Sequence, residues 1–441
     1  MIKNRVDVIS LGCSKNLIDS ERLMAQVEAA GFMVEHDPEQ VKGEIVVVNT
    51  CGFIGDAKEE SVNMILELVE LKKRKKIAKL YVMGCLGERY RKELVEEIPE
   101  VDGFFGKYDW GGIIEKLDNI EKLEHLDNIE RKSCSSWQRK LTTPSHYAYV
   151  KIAEGCDRKC SYCAIPLITG PYKSRPVEEI LEEVKWLADK GVKEVELIAQ
   201  DLTYYGIDLE KRGMLPELVE QISEVDGIEW IRLHYAYPTH FPYDLLKVMR
   251  ENKKVCAYLD VALQHISDNV LKAMRRHISK DETYTFIRRL REEVPGIGLR
   301  TTLMVGHPGE TEEDFEELMQ FVKDVRFERM GAFAYSEEEG TYSAINYKDD
   351  VTEEVKQDRL NRLMAEQQKI SAEVNAARIG QTLRVLIDRD EGEWKVGRTE
   401  WDSPEVDCEV YVKGDVEVGD FCDVKIEKSS EFELFGNIVR L

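Results

Sequence analysis

No stretch of eighteen apolar residues occurs in this 441-residue chain, so a membrane-spanning helix of ordinary length is excluded. The opening, MIKNRVDVIS, lacks the apolar core of a secretory signal. Positive charge is also short. Sixty-two Lys and Arg face 85 Asp and Glu, for a formal net charge of −23. A surface this acidic disfavours non-specific contact with nucleic acid, whose affinity rests on neutralising phosphates. It favours basic partners. Direct tRNA binding is therefore not expected. Ten cysteines without a secretory signal argue for a reducing, cytoplasmic setting in which thiols serve metals rather than disulfides. A hydrophobic content of 43% over this length gives material for two or three domains.

A further absence is local. The stretch Gly155 to Gly170, GCDRKCSYCAIPLITG, holds Cys156, Cys160 and Cys163 as C-x3-C-x2-C, and the next cysteine is Cys256. Structural zinc sites usually take four ligands in separated pairs. A ferredoxin-type 4Fe–4S cluster takes four cysteines. Three thiolates on one short loop would leave one iron of a cubane without a protein ligand. An open iron can bind a small molecule, so the spacing points to chemistry rather than electron storage. Three structural cysteines or a zinc knuckle is the competing reading.

In the first 140 residues an apolar run leads into a cysteine three times. Val6 to Leu11 precedes Cys13, Ile45 to Val48 precedes Cys51, and Leu80 to Met83 precedes Cys85. Helical stretches follow at Ser20–Ala30, Glu59–Lys76 and Glu88–Ile98. Short apolar strands alternating with amphipathic helices predict a parallel sheet covered on both faces. The intervals of about thirty-five residues each suit one βαβ unit. Each cysteine would then lie at the carboxyl end of its strand, the edge where open α/β sheets bind ligands. The three thiols would converge as a second three-cysteine cluster site; three buried small hydrophobes are the alternative. Asp118 to Lys132 reads as a charged connection, helical or loosely ordered. Cys134 has no partner at ligand spacing and reads as incidental.

Thr142 to Ser145 reads as a linker. Beyond it, six strand candidates alternate with helices up to about residue 370, starting with His146–Ile152, which leads into the C-x3-C-x2-C loop. This pattern predicts a partial (β/α)6 TIM-type barrel whose active parts sit at the carboxyl ends of the strands. A long polar helix over Val351–Ile379 follows. Five short strands separated by Gly and Asp turns then predict an OB-like β-barrel, with Cys408 and Cys422 as core thiols. The fold class is thus α/β with a C-terminal β-barrel, divided as 1–140, 141–372 and 378–441.

The spacing of Cys156, Cys160 and Cys163 is that of the radical S-adenosylmethionine (SAM) enzymes. The three parts in this order resemble the methylthiotransferases of that superfamily: an N-terminal three-cysteine domain, a radical SAM barrel and a TRAM barrel. The resemblance covers almost the whole chain. SLGCSKNLIDSE, NTCGFIGDAKEES, GCLGERY, KIAEGCDRKCSYC, LDVALQHISDNVLKAMRR and LRTTLMVGHPGETEEDF look like the branch that modifies the twelfth protein of the small ribosomal subunit. Ser14-Lys15-Asn16 stands where tRNA-modifying relatives usually have Gln-Met-Asn. Leu86-Gly87-Glu88 and Pro171 depart from the family wording, and neither removes a ligand.

The resemblance implies two 4Fe–4S clusters, one on Cys156, Cys160 and Cys163, the other on Cys13, Cys51 and Cys85. It implies S-adenosyl-L-methionine as source of both methyl group and radical. The product would be a methylthio group on the β-carbon of an aspartate in a basic small-subunit ribosomal protein. An electron donor such as flavodoxin or ferredoxin would be required. An unactivated C–H bond offers no acidic proton, so a cofactor must carry the hard step. A tRNA adenosine as substrate, or a non-catalytic iron–sulfur or RNA-binding role, are the alternatives.

Tyr162, between two ligands, is a candidate contact to the adenine of SAM, or a packed loop aromatic. Gln200 and Asp201 end the second barrel strand at the active-site edge, and Gln200 is the second cofactor-binding candidate. Gly306–Glu310, GHPGE, borders SAM or is a plain βα turn. Arg300 points into the barrel toward a carboxylate or is a paired structural charge. The direction of Glu196 is open, and His234, His265 and His307 carry no assignment. No catalytic residue is singled out. From Arg378 onward nine Lys and Arg face sixteen Asp and Glu. An RNA-gripping barrel should be basic, and an acidic one suits a basic protein.

Overall fold

The computed structural model describes residues 1–107, 109–123, 135 and 137–439. Cys134 and residues 124–132 of the charged connection lie outside the described residues. The N-terminal sheet has five parallel strands in the order β2-β1-β3-β4-β5. They are β1 (Ile2–Ser10), β2 (Met33–His36), β3 (Gly43–Thr50), β4 (Lys79–Gly84) and β5 (Gly103–Phe104). The predicted apolar runs are β1, β3 and β4. Every residue of the central strand β3 is buried, because helices cover both faces: Val6, Val8, Ile45 and Val47 pack on one side, Ile9, Val46 and Val48 on the other. The edge strands β2 and β5 carry no such run. They are short, and β2 buries one residue of four.

All three expected helices differ in their bounds, the one over Glu59–Lys76 running Gly55–Lys73. Helix α1 (Ser14–Ala29) starts immediately after Cys13, which is its N-cap, rather than at Ser20. Glu88–Ile98 is not one helix. Tyr90 leaves helical geometry and splits it into α3 (Cys85–Arg89) and α4 (Arg91–Glu97). Helices α2 (Gly55–Lys73) and α5 (Trp110–Leu123) complete the layer. Cys13 and Cys85 thus sit at the first positions of helices, where the polypeptide leaves the sheet.

The central sheet has six parallel strands in the order β6-β9-β10-β11-β12-β13 and remains open. They are β6 (Tyr147–Lys151), β9 (Glu194–Ile198), β10 (Trp230–Ala236), β11 (Val255–Gln264), β12 (Gly298–Val305) and β13 (Arg329–Ala334). Between β6 and β9, the two-residue strands β7 (Ala153–Glu154) and β8 (Lys173–Ser174) pair antiparallel and pinch the base of the cysteine loop. The outward residues Val195, Leu197, Ile231, Leu233, Leu259 and Val261 form the apolar core against the helices. The alternate residues face inward and are charged: Glu194, Glu196, Arg232, His234 and Asp260 are all buried.

The third unit is a closed barrel in the order β14-β15-β16-β18-β17, with β16 and β18 parallel and the other pairs antiparallel. Its strands are β14 (Thr382–Glu391), β15 (Trp394–Arg398), β16 (Glu409–Lys413), β17 (Phe421–Ser429) and β18 (Glu433–Ile438). The OB-like expectation holds. Cys408 is buried, and Cys422 packs half-buried beside the barrel core.

The segment from Arg398 to Asp407 closes the amino-terminal end of the central barrel. Arg398 meets Glu194 at 2.6 Å, Arg329 Nε reaches Asp402 at 2.7 Å, and Arg300 bridges Asp407 at 3.2 Å and Asp260 at 3.3 Å. Arg300 is therefore a paired charge joining two units. The Thr142–Ser145 linker is also tied down. Thr142 donates its N–H and hydroxyl to Glu21, and the buried Arg139 pairs with Glu21 at 2.7 Å and Glu183 at 2.9 Å. Among the described residues no helix is long and apolar enough to cross a membrane.

Removing one partner of a fully desolvated ion pair strands the other charge and destabilises by about 3–5 kcal/mol. Asp402 is fully buried against Arg329. Asp402→Ala should therefore lower the melting temperature and make the C-terminal barrel the first part cut by trypsin. An unchanged melting curve would show that this seal adds nothing to stability.

Candidate functional site

Strands β1, β3 and β4 deliver their cysteines to one point. A Cβ on Gly12 would stand 3.0 Å from the Cys51 Cβ, and one on Gly52 would stand 2.7 Å from the Cys85 carbonyl carbon. Gly52 is thus required by close backbone approach. Asn16 ties the three loops: its Nδ2 donates to Leu11 O at 3.0 Å and Thr50 O at 3.1 Å, and its Oδ1 accepts from the Cys85 thiol at 3.6 Å. Asn49 donates to Asn16 O at 2.8 Å. Ser61 accepts from the Cys51 N–H and donates to the Cys51 carbonyl.

The three thiols differ in environment. Burial pushes the Cys85 thiol up to about 12, with Lys107 pulling the other way. Burial also raises Cys51. At Cys13 the surrounding protein pushes upward, but Lys15, the amides of Asn16 and Lys15, and Lys107 together bring the thiol below its ordinary value. A helix N-terminus and a nearby ammonium both favour thiolate. Cys51 and Cys85 each feel the charge of Cys13.

The second trio lies on the loop after β6. Gly155 has φ +76°, and a Cβ there would meet Pro171 O at 2.0 Å, so only glycine permits the chain to double back at this pinch. Within the loop, the Cys156 N–H donates to Gly170 O at 3.2 Å and the Cys163 N–H to Cys160 O at 3.2 Å. Arg276 Nη1 donates to Cys160 Sγ at 3.4 Å, and Tyr237 OH is 3.7 Å from the same sulfur. Arg158 and Arg276 each hold a guanidinium 4.1 Å from the Tyr237 ring centroid, and Arg158 pairs with Asp201 at 2.7 Å. Burial raises Cys156 to about 12 and raises Cys163 further, each also raised by Cys160. Arg158, Asp201, Tyr237 and Arg276 come from four segments, and only Asp201 carried a sequence signal.

Tyr162 packs with Val270, Met274, Met304 and Tyr335 and meets His307 edge-on. Gln200 follows β9, and Gln264 closes β11. The side-chain oxygen of each is buried without a hydrogen-bond partner. His307, unassigned by sequence, links the cysteine loop to the segment after β13. The Pro308 carbonyl can only accept, so Nδ1 carries the proton and Nε2 accepts from Ser161 and Ser343. His234 lies between Glu196 at 3.1 Å and Asp260 at 3.8 Å, inside the barrel, and His265 lies 3.6 Å from Glu310.

The two trios are neighbours. Cys85 and Phe53 pack on Ala164 and Ile168, in the helical turn α6 (Ile165–Thr169) and its approach from Cys163. Arg89 donates to Glu338 at 2.8 Å and to Gly52 O at 3.0 Å, clamping the N-terminal loops to the segment after β13. Beneath them Asp19, Lys107, Lys151 and Glu154 form a buried ionic quartet, with Lys151 2.5 Å from Asp19 and Lys107 3.2 Å from Glu154. A cleft of about 300 Å³ opens beside Cys13, lined among others by Leu17, Asp37, Tyr149 and Glu405. All three units contribute to it.

Among the described residues no group of three or more His, Cys, Asp or Glu is arranged to hold a single metal ion. A four-iron cubane has a different requirement, since each thiolate takes a separate iron at a separate corner. Two trios of thiols, each with cations close by and no disulfide, have the donor chemistry for such a group. The buried, unpaired oxygens of Gln200 and Gln264 at the carboxyl edge suit a polar ligand bound there.

Comparison with known proteins bears on each part. Residues 150–322 match the model of the radical SAM superfamily, residues 379–439 that of the TRAM domain, and residues 5–106 one described as uncharacterized protein family UPF0004. The chain is 60% identical over 443 residues to the ribosomal protein uS12 methylthiotransferase RimO of Bacteroides fragilis, with all of both chains covered. The protein of that name from Christiangramia forsetii is 51% identical, over 98% of this chain and 94% of its own. Among solved structures, the radical SAM methyltransferase TsrM of Kitasatospora setae superposes with a TM-score of 0.58 at 16% identity, covering 78% of this chain and 77% of its own. The cobalamin-dependent SAM radical enzyme OxsB gives 0.52 at 13%, covering 83% and 56%. At such identities these two speak for the fold alone.

His307 generates a pH prediction. Burial pushes its imidazole down to about 4, whereas the unfolded chain takes up a proton near pH 6.5. Stability must then fall as pH drops through the window between these values, by about 2 kcal/mol from pH 7 to pH 5. His307→Gln should abolish this component, so the wild-type advantage in melting temperature should shrink over that interval. A constant difference would contradict the assignment of a neutral, buried imidazole.

Proposed function

The chain belongs to the RimO family of ribosomal protein uS12 methylthiotransferases, and from that premise we propose how its residues divide the work. It is a radical SAM transferase acting on uS12. Cys156, Cys160 and Cys163 hold one 4Fe–4S cluster, and Cys13, Cys51 and Cys85 hold a second. The adjacency of the two trios across Cys85, Ala164 and Ile168 is the observation that carries this reading. Cys13, Cys51 and Cys85 would hold one cluster and Cys156, Cys160 and Cys163 the other close enough for a single bound substrate to face both.

When bound, the first cluster with SAM supplies a radical that removes a hydrogen atom from the β-carbon of the substrate aspartate. The chain's own residues bind, orient and insulate. Arg276 and Arg158 offset the negative charge gathered on the Cys160 side of the loop. Tyr162 and Gln200 contact SAM, with Gln264 as a further hydrogen-bonding group; the half-buried Tyr162 ring and the buried, unpaired oxygens of Gln200 and Gln264 at the carboxyl edge support this. Ser161, held by His307, fixes the cysteine loop against the segment after β13.

The acidic C-terminal barrel supports a basic substrate, with one refinement. Asp388, Asp402 and Asp407 are spent on Arg398, Arg329 and Arg300 within the chain. The carboxylates left for a partner are the exposed ones, including Asp415, Glu417, Asp423 and Glu427. Cytoplasmic location, a flavodoxin or ferredoxin as electron donor, and the divisions 1–140, 141–372 and 378–441 complete the proposal.

Two measurements test it. Reconstituted wild type should carry about eight iron atoms and Cys13→Ala about four; equal contents would remove the second cluster. With SAM, reductant and a sulfur source, intact uS12 should gain one methylthio group in place of hydrogen. Cys13→Ala should fail to add it. An unmodified uS12 together with methylthiolated tRNA would transfer the activity to the other substrate class.

A further inference from the structure

Lys15 is the second residue of α1 and only 9% exposed. Its ammonium lies 3.3 Å from the ring centroid of Tyr235. Among the described residues the ammonium has no carboxylate partner and no hydrogen bond; the acidic group whose titration it lowers is the Cys13 thiol. The other buried lysines nearby are provided for: Lys151 and Lys107 share Asp19 and Glu154. Lys15 also occupies the wrong end of its helix, since the dipole of a first turn favours anions and repels cations. Burying a cation without a counter-charge is expensive, and the Tyr235 face recovers only part of it. The ring is itself held in an unusual place, since Tyr235 has φ +62°, a left-handed conformation rare for a bulky residue. Stability alone accounts for neither feature.

The location supplies a reason. Lys15 lies two residues from Cys13, on the side of α1 that packs on the barrel, where Ile18 and Leu17 meet Tyr147, Tyr149, Tyr235 and Ile198. Leu17 and Tyr149 also line the cleft that leads to Cys13. Lys15 and Tyr235 lie behind Leu17 and Tyr149 rather than in the lining, which carries Asp37 and Glu405 at its rim, so an anion that passed these would meet a buried cation with no carboxylate of its own. Resting on the reading that the substrate is a uS12 aspartate, we propose that Lys15 receives the carboxylate of that aspartate over the Tyr235 ring. The reacting β-carbon is one bond from the carboxylate carbon. Anchoring the carboxylate on Lys15 would therefore hold that carbon at the junction of the N-terminal thiols and the barrel. It would also distinguish aspartate from asparagine, which has the same shape and no charge.

The test is binding without turnover: reconstituted enzyme, SAM, no reductant, and fluorescently labelled uS12 or uS12 with the target aspartate changed to asparagine. A hydrogen-bonded charge pair at a half-dry site corresponds to a preference of roughly 10–100-fold. Wild type should show it, Lys15→Met should bind both forms within about 3-fold, and Lys15→Arg should restore part of the preference. Iron content and the melting curve report whether each variant is intact. If Lys15→Met loses its iron, Lys15→Gln is scored by the same criterion. An intact neutral variant that still prefers aspartate overturns the role of Lys15 and leaves the proposed activity standing. A wild type that binds neither form, or both equally, overturns the substrate reading and Lys15's role with it.

Discussion

The contact of Cys85 and Phe53 with Ala164 and Ile168 makes the two cysteine trios neighbours. One thiol trio is made by three strands of the N-terminal sheet, the other by a single loop after β6. Neither depends on the other for its local geometry. Their juxtaposition depends on two units docking at one apolar point, where Cys85 and Phe53 meet Ala164 and Ile168. The buried quartet of Asp19, Lys107, Lys151 and Glu154 fixes the approach. Against the upward push of burial, Lys151 and Lys107 hold the Glu154 carboxyl down to about 2, while burial and the Glu154 charge leave the Asp19 carboxyl raised. Stranding any one of these charges would be severely destabilising, so the quartet admits one docking arrangement and penalises slippage.

The inner face of the barrel follows a related logic. A partial barrel exposes an interior, and this one lines it with paired charges rather than packed aliphatics. The C-terminal barrel supplies partners to Glu194, Arg300 and Arg329 near the amino ends of the strands. One end is thereby sealed by ion pairs, while the carboxyl end keeps unpaired polar groups at Gln200 and Gln264. The same contacts explain why the C-terminal barrel needs more carboxylates than its own surface uses.

Electrostatics at the thiols runs against the chain as a whole. The net charge is −23, yet Lys15, Lys107, Arg158 and Arg276 lie around the six cysteines. Thiolates need cations close by, and in a low-dielectric setting proximity counts for more than total charge. The acidic surface and the cations beside the thiols are thus separate sets of residues.

The apolar runs before Cys13, Cys51 and Cys85, the strand–helix alternation beyond them and the five short terminal strands were sufficient to predict the parallel α/β sheets and the C-terminal barrel, because strand periodicity is a local property. The edge strands β2 and β5 and the break at Tyr90 escaped, since short edge elements carry little hydrophobic signal. The start of α1 escaped because polar Ser14-Lys15-Asn16 does not look like a buried helical turn. Asn16, Arg276, Tyr237 and the charged lining of Glu194, Arg232, His234 and Asp260 were not legible, because a polar residue in sequence gives no sign of the partner it will meet. Local pattern determined which elements form and which thiols are available. Tertiary packing alone decided that the two trios are neighbours and that Lys15 is buried without a carboxylate partner, because contacts between residues far apart in the chain depend on how finished surfaces fit.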